Sequence, residues 1–95
     1  MRDMQSTYNL LGRRLRFVPI LRLFATVRVA TGTGKVEIEG QTVNDVLENA
    51  SLKFGDEFTE LIPICRIWVN GESADRDTQV AAGDEVALLP PVSGG

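Results

Sequence analysis

The segment from Thr42 to Gly55 constrains the fold more than any other part of this chain. Val43, Val46, Leu47, Ala50 and Phe54 recur there at helical spacing, which gathers apolar side chains on one face of an α-helix. Thr42 stands where an N-cap hydroxyl accepts from the open N–H groups of a first turn, Asp45 adds negative charge there, and Gly55 is a natural C-cap. Such a helix cannot bury its apolar face alone, so it must pack on a second layer.

Strand-length runs supply that layer. Val18 to Ala25 reads as a first strand, with Pro19 at its start, where a missing donor is tolerated. Alternation puts Leu21, Leu23 and Ala25 toward the core and Ile20, Arg22 and Phe24 on the opposite face. Lys35 to Glu39 alternates polar and apolar as a half-buried strand does, and Gly40 ends it. Ile64 to Val69 reads as a third strand running into Asn70-Gly71, a strong turn signal. Glu72 to Thr78 reads as a short edge strand plus loop. After the Gly83-Asp84 turn, Glu85 to Leu89 makes the last strand. Thr26 to Ala30 is expected as a short turn or helical bend closed by Gly32-Thr33-Gly34. Asp56 to Pro63 is expected as a loop or short turn that packs Phe58, Leu61 and Ile62. The order predicts an α+β domain, a mixed four- to five-stranded sheet covered by one main helix.

Composition removes several classes of function. The 95 residues make one domain. They contain no histidine, so the commonest metal ligand and neutral-pH acid–base group is missing. The single cysteine allows no internal disulfide and no cysteine metal cluster, which fits a reducing cytoplasm. Cys65 lies among Ile64, Ile67 and Val69 and reads as a small buried hydrophobe. Asp75, Asp77, Asp84 and Glu85 match no calcium-loop spacing and read as a solvated acidic edge. The run Phe17 to Val27 follows Arg13, Arg14 and Arg16. Pro19 and Arg22 interrupt it, and it is too short to span a membrane, so neither an export signal nor a membrane segment is expected.

Charge is divided along the chain. Residues 1–30 carry six arginines against Asp3, a net of +5, while residues 31–95 carry four basic residues against twelve acidic ones, a net of −8. The acidic portion disfavours nucleic acid as a partner and favours a protein with basic patches. Residues 1–16 read as a basic, flexible extension, 17–91 as the folded domain, and 92–95 as a flexible tail. In that tail Pro90 and Pro91 hold the chain extended, and Gly94 and Gly95 bring it to a point without side chains. Such a point fits a channel too narrow for a Cβ, and the main-chain carboxylate of Gly95 is the reactive group it offers.

These residues resemble a known family. Leu23-Phe24-Ala25 followed by Val27-Arg28, Thr42-Val43 opening the helix, Val69-Asn70-Gly71, Gly83-Asp84-Glu85-Val86 and Pro90-Pro91-Val92-Ser93-Gly94-Gly95 are similar to the ubiquitin-like β-grasp sulfur carriers of the MoaD/ThiS family. The resemblance spans residues 18–95 and is strongest to the MoaD-type small subunit of molybdopterin synthase. It implies that an adenylating enzyme activates the Gly95 carboxylate with ATP, that a thiocarboxylate follows, and that the tail enters the large synthase subunit, with Gly94 admitting it to the active site. Catalytic bases, ATP and any metal then belong to the partners, and this chain binds no cofactor stably. Partner contacts implied on this chain are Phe24, Arg28, Leu89, Pro90, Pro91, Val92 and Ser93. Strand parity turns Phe24 and Leu89 away from the core, and the family docks partners on that sheet face. Three other uses of the fold stay open: a carrier for cysteine, thiamine or tRNA thiolation, a ubiquitin-like modifier joined through Gly95 to lysines, and an interaction domain with an inert tail.

Overall fold

The structure, a computed structural model, describes residues 18–91, so the expectations for residues 1–16 and for the tail at 92–95 lie outside the described residues. The elements run β1 (Ile20–Leu23), α1 (Ala25–Thr31), β2 (Lys35–Glu37), α2 (Val43–Phe54), α3 (Asp56–Leu61), a 3-10 turn (Ile62–Ile64), β3 (Arg66–Val69), β4 (Glu72–Ala74) and β5 (Glu85–Leu89). The five strands form one mixed sheet in the order β2-β1-β5-β3-β4. β1 and β5 pair in parallel, and the other neighbours are antiparallel.

α2 forms where its caps and periodicity place it. The Thr42 hydroxyl accepts from Asp45 N–H at 3.1 Å, and Asp45 Oδ2 accepts in return from Gln41 N–H at 3.1 Å. One otherwise open donor of the first turn, and the N–H of the residue just before the cap, are thereby satisfied. Val43, Val46, Leu47 and Ala50 are buried against Leu21, Leu23, Val86 and Leu88 of the central strands. Each of these valines and leucines contributes about 1.5–3 kcal/mol by leaving water. Gly40 is required by close approach: a Cβ there would lie 2.7 Å from Val46 N and 2.8 Å from Val46 Cγ2.

Five local expectations are corrected. The first strand stops at Leu23, and Ala25 starts α1 with φ +53° instead of facing the core. A left-handed alanine is strained, and Val27, fully buried, anchors the helix that follows. The bend expected over Thr26 to Ala30 is thus a seven-residue helix, closed by Gly32 in the left-handed region. The second strand ends at Glu37, although Ile38 N–H still donates to Pro19 O and Ile38 stays buried. Asp56 to Pro63 is helix, not loop: Phe58, Leu61 and Ile62 sit three and four residues apart, and Phe58 is fully buried, 5.5 Å from the Phe54 ring centroid. The third strand accordingly begins at Arg66, with Ile64 in the 3-10 turn and largely exposed. One main helix does cover the sheet, with two shorter helices beside it.

The turn between β3 and β4 has φ +51° at Asn70 and +84° at Gly71, the left-handed pair that tight hairpins demand. Asn70 also ties this hairpin to β5. Its Nδ2–H donates to Asp84 Oδ1 at 3.0 Å and its Oδ1 accepts from Glu85 N–H at 2.9 Å, while Asp84 Oδ2 accepts from Ala81 N–H at 2.8 Å. These donors, Asn70 first and Ala81 second, hold the Asp84 carboxyl below its ordinary value. A value lowered by folding adds stability that is complete above the unfolded value, about 3.9, and is lost as pH falls through the folded one. Asp84→Asn is therefore expected to lower the melting temperature at neutral pH, with the gap to the wild type closing toward about pH 3 and below. Melting curves across that range check this, and a gap independent of pH would show that the charge contributes nothing.

Candidate functional site

Among the described residues, all the helices that fill the core lie on one side of the sheet and leave the other side open. Strand register defines what it presents. Arg22 of β1 stands opposite Lys35 on one flank and Ala87 on the other, and Ala87 stands opposite Trp68, which is opposite Ser73. One row nearer the end of β5, Leu89 stands opposite Arg66, and Phe24 follows Leu23, the partner of Leu88. Residues of the alternate parity, Leu21, Leu23, Val86 and Leu88, are buried in the core.

Phe24, Leu89, Ala87, Trp68, Arg22 and Glu85 line a shallow groove of about 430 Å³ on this outer face. Phe24 is 37% exposed. Phe24 and Leu89 are thus brought together, as strand parity predicts, at the end of the sheet where the chain leaves β5 through Pro90 and Pro91. Pro90 is half-buried and Pro91 exposed. Val92, Ser93, Gly94 and Gly95 lie outside the described residues. The sequence reading omitted Trp68 from the site, although its position between Ile67 and Val69, which pack on the core, was the available signal.

The polar side chains of this end are equally specific. Arg22 Nη1 reaches Glu85 Oε1 at 3.4 Å, and Arg22 Nε is buried with no hydrogen-bond acceptor among the described residues. Arg28 extends over Gly34, where a Cβ would lie 3.3 Å from its Nε. Cys65 is half-buried rather than fully enclosed; its thiol donates to Leu61 O at 3.3 Å. Burial pushes the thiol up from its ordinary value, so it is poorly disposed to form the thiolate that sulfur chemistry requires. The acidic residues expected as a solvated edge have separate tasks: Asp75 Oδ1 accepts from Asp77 N–H at 2.9 Å, Asp84 braces the β5 turn, and Glu85 meets Arg22. Among the described residues no helix is long and apolar enough to cross a membrane.

A mixed five-stranded sheet gripping one main helix, with the chain's end led off its central strand, defines a ubiquitin-like β-grasp domain. The sequence pattern of the ThiS family matches residues 21–95, and the chain belongs to that family of ubiquitin-like sulfur carriers. It is 40% identical over 85 residues to small archaeal modifier protein 1 of Haloferax volcanii, an alignment covering 78% of this chain and 97% of that protein. Among solved structures it is similar to a putative molybdopterin converting factor, subunit 1, from Pyrococcus furiosus, with TM-score 0.70 and 28% identity over 80% of this chain and 99% of that one. It is also similar to a chain in the protein-protein complex of subunits 1 and 2 of molybdopterin-converting factor from Helicobacter pylori 26695. There the TM-score is 0.61 and the identity 25%, over 82% of this chain and 99% of that chain.

The two faces of β1 give a direct test. Leu23→Ala, which empties a core position, is expected to cost about 2–5 kcal/mol of stability. Phe24→Ala, one residue on and facing the groove, is expected to leave the melting transition nearly unchanged. Denaturant titration of both variants checks this, and a reversed order would reverse the face assignment.

Proposed function

We propose that the chain carries sulfur on the carboxylate of Gly95 and donates it as the small subunit of a molybdopterin synthase. The observation that supports this best is the joining of an apolar groove to the root of the tail: β5 borders the groove through Ala87 and Leu89 and then continues into Pro90-Pro91. A partner seated on Phe24, Trp68 and Leu89 receives the tail from a fixed direction. The similarity to a chain in the complex of subunits 1 and 2 of molybdopterin-converting factor supports a protein partner of this kind.

The chemistry follows from the carboxylate. Its own leaving group would be oxide, so it is a poor electrophile. An adenylating enzyme joins it to the α-phosphate of ATP with release of pyrophosphate, and the acyl-adenylate then loses AMP to attacking sulfide. What remains is a thiocarboxylate, a nucleophile held on a protein handle, and the pterin chemistry belongs to the large subunit. In this reading Arg28, which is exposed and laid over Gly34, pairs with a partner carboxylate. Gly94 and Gly95 allow the tail into a channel that admits no Cβ.

A second reading has its own support. The 40% identity to a small archaeal modifier protein favours transfer of the same activated end to the ε-amine of a lysine, with AMP as the leaving group and an isopeptide as the product. Both readings share activation at Gly95 and part only at the acceptor.

Incubation with ATP, a cognate adenylating enzyme and a sulfide source is expected to raise the intact mass by the difference between sulfur and oxygen. Deletion of Gly95 is expected to abolish that gain without changing the melting temperature; an unchanged gain in the truncated chain removes the proposal. A lysine remnant mapped on cellular proteins, without synthase activity on addition of the large subunit, would assign the chain to the modifier reading.

Gly94→Leu is expected to melt as the wild type does and to fail in sulfur delivery to the large subunit. Normal delivery by Gly94→Leu would mean that the receiving channel is not narrow.

A further inference from the structure

The described domain, residues 18–91, is acidic, with twelve carboxylates against six basic side chains. Three of those six, Arg22, Lys35 and Arg66, nevertheless gather at the tail side of the open face, and a fourth, Arg28 of α1, lies near its margin. Lys35 and Arg22 stand directly opposite one another across β1 and β2, Arg66 stands opposite Leu89, and Arg28 lies over Gly34 beside the end of β1. The acidic residues of this face, Glu37 and Glu85, occupy the row farther from the tail, both in register with Ile20. The face is therefore graded, with apolar residues and cations near the tail and anions away from it.

Two details point to an acceptor that arrives from outside. Like charges placed directly opposite on neighbouring strands are destabilising, and the Lys35–Arg22 pair is such a placement. The one ion pair found there among the described residues, Arg22 to Glu85 at 3.4 Å, joins side chains that are both well exposed, and such pairs hold weakly. It also leaves the Arg22 Nε–H without an acceptor among the described residues.

From this arrangement we infer that the groove selects a protein surface in which an apolar residue is flanked by carboxylates, and that Arg22 is the residue that determines this specificity. In the free chain Arg22 rests on Glu85. In the complex it exchanges Glu85 for a partner carboxylate while the apolar residue seats between Phe24, Trp68 and Leu89. Charge of this kind fixes partner choice and approach more than total affinity. It also fixes orientation, because a partner turned end for end would bring its carboxylates onto Glu37 and Glu85. The inference rests on the docking reading above and adds the chemistry of the partner.

The test is titration calorimetry of the full chain with the large synthase subunit of the same organism, at low and high salt, with melting curves for every variant. Arg22→Glu is expected to weaken binding by about tenfold or more and to flatten its salt dependence. Lys35→Glu, on the exposed edge strand, is expected to act in the same direction without touching Glu85. Lys53→Glu makes the same charge change on the helix side and is expected to stay within about twofold of wild type. Glu85→Gln, which releases Arg22, is expected to bind at least as well as wild type. Equal losses in Arg22→Glu and Lys53→Glu would reduce the effect to overall charge and overturn the inference, as would normal binding by both Arg22→Glu and Lys35→Glu. If Phe24→Ala weakens binding while those two do not, the docking face stands and the charge selection falls. If none of these variants weakens binding, or the wild type does not bind, the docking reading falls and takes this inference with it.

Discussion

The parallel pairing of β1 with β5 is the contact on which the rest of the structure depends. It joins residues about as far apart as the described chain allows, Ile20 with Glu85 through Leu23 with Leu88. Closing so long a loop carries an entropic cost that only substantial burial can offset. Leu21, Leu23, Val86 and Leu88 provide it, all at the centre of the core. α2 completes the burial from the other layer, and its capped first turn puts Val43, Val46 and Leu47 at the right height to do so.

The same pairing determines where function can be located. Because the two strands run in one direction, their C-terminal ends lie side by side, and Phe24 comes next to Leu89. The chain also leaves from the middle of the sheet, with β1 and β3 on either side of its last strand. Had β5 been an edge strand, the tail would have departed from a margin, away from any broad face. Here Pro90 and Pro91 follow directly on the strand that borders the groove, so in the docking proposed above a partner on the groove also meets the root of the tail.

Net charge is a poor guide to that place. An acidic domain suggests a basic partner, and over long distances its field does favour one. At contact distance the row spacing matters more, and the outer face near the tail is cationic because alternation and register put Arg22, Lys35 and Arg66 on it together. A sum over the chain cannot contain this, since it ignores which face each side chain occupies.

Several levels of the structure were readable in the order of residues alone. The limits of α2 were given by Thr42, Asp45 and Gly55, the hairpin by Asn70-Gly71, and the outward parity of Phe24 and Leu89 by simple alternation, because each of these rests on interactions within a few residues. The last strand running into Pro90-Pro91 and two glycines likewise pointed to the carboxylate of Gly95 before any fold was known. α1 was less legible, since it begins at a left-handed Ala25 that no local preference favours and that the burial of Val27 makes tolerable. α3 was missed because six residues after a glycine, with only Phe58 and Leu61 apolar among them, look like a packed loop until Phe58 has a core to enter. Trp68, Ala87 and Arg22 became one site only when register set three strands side by side. Local chemistry thus determined most of the elements, while the pairing of distant strands decided what lies beside the end of β5, because only long-range burial can choose which rows become neighbours.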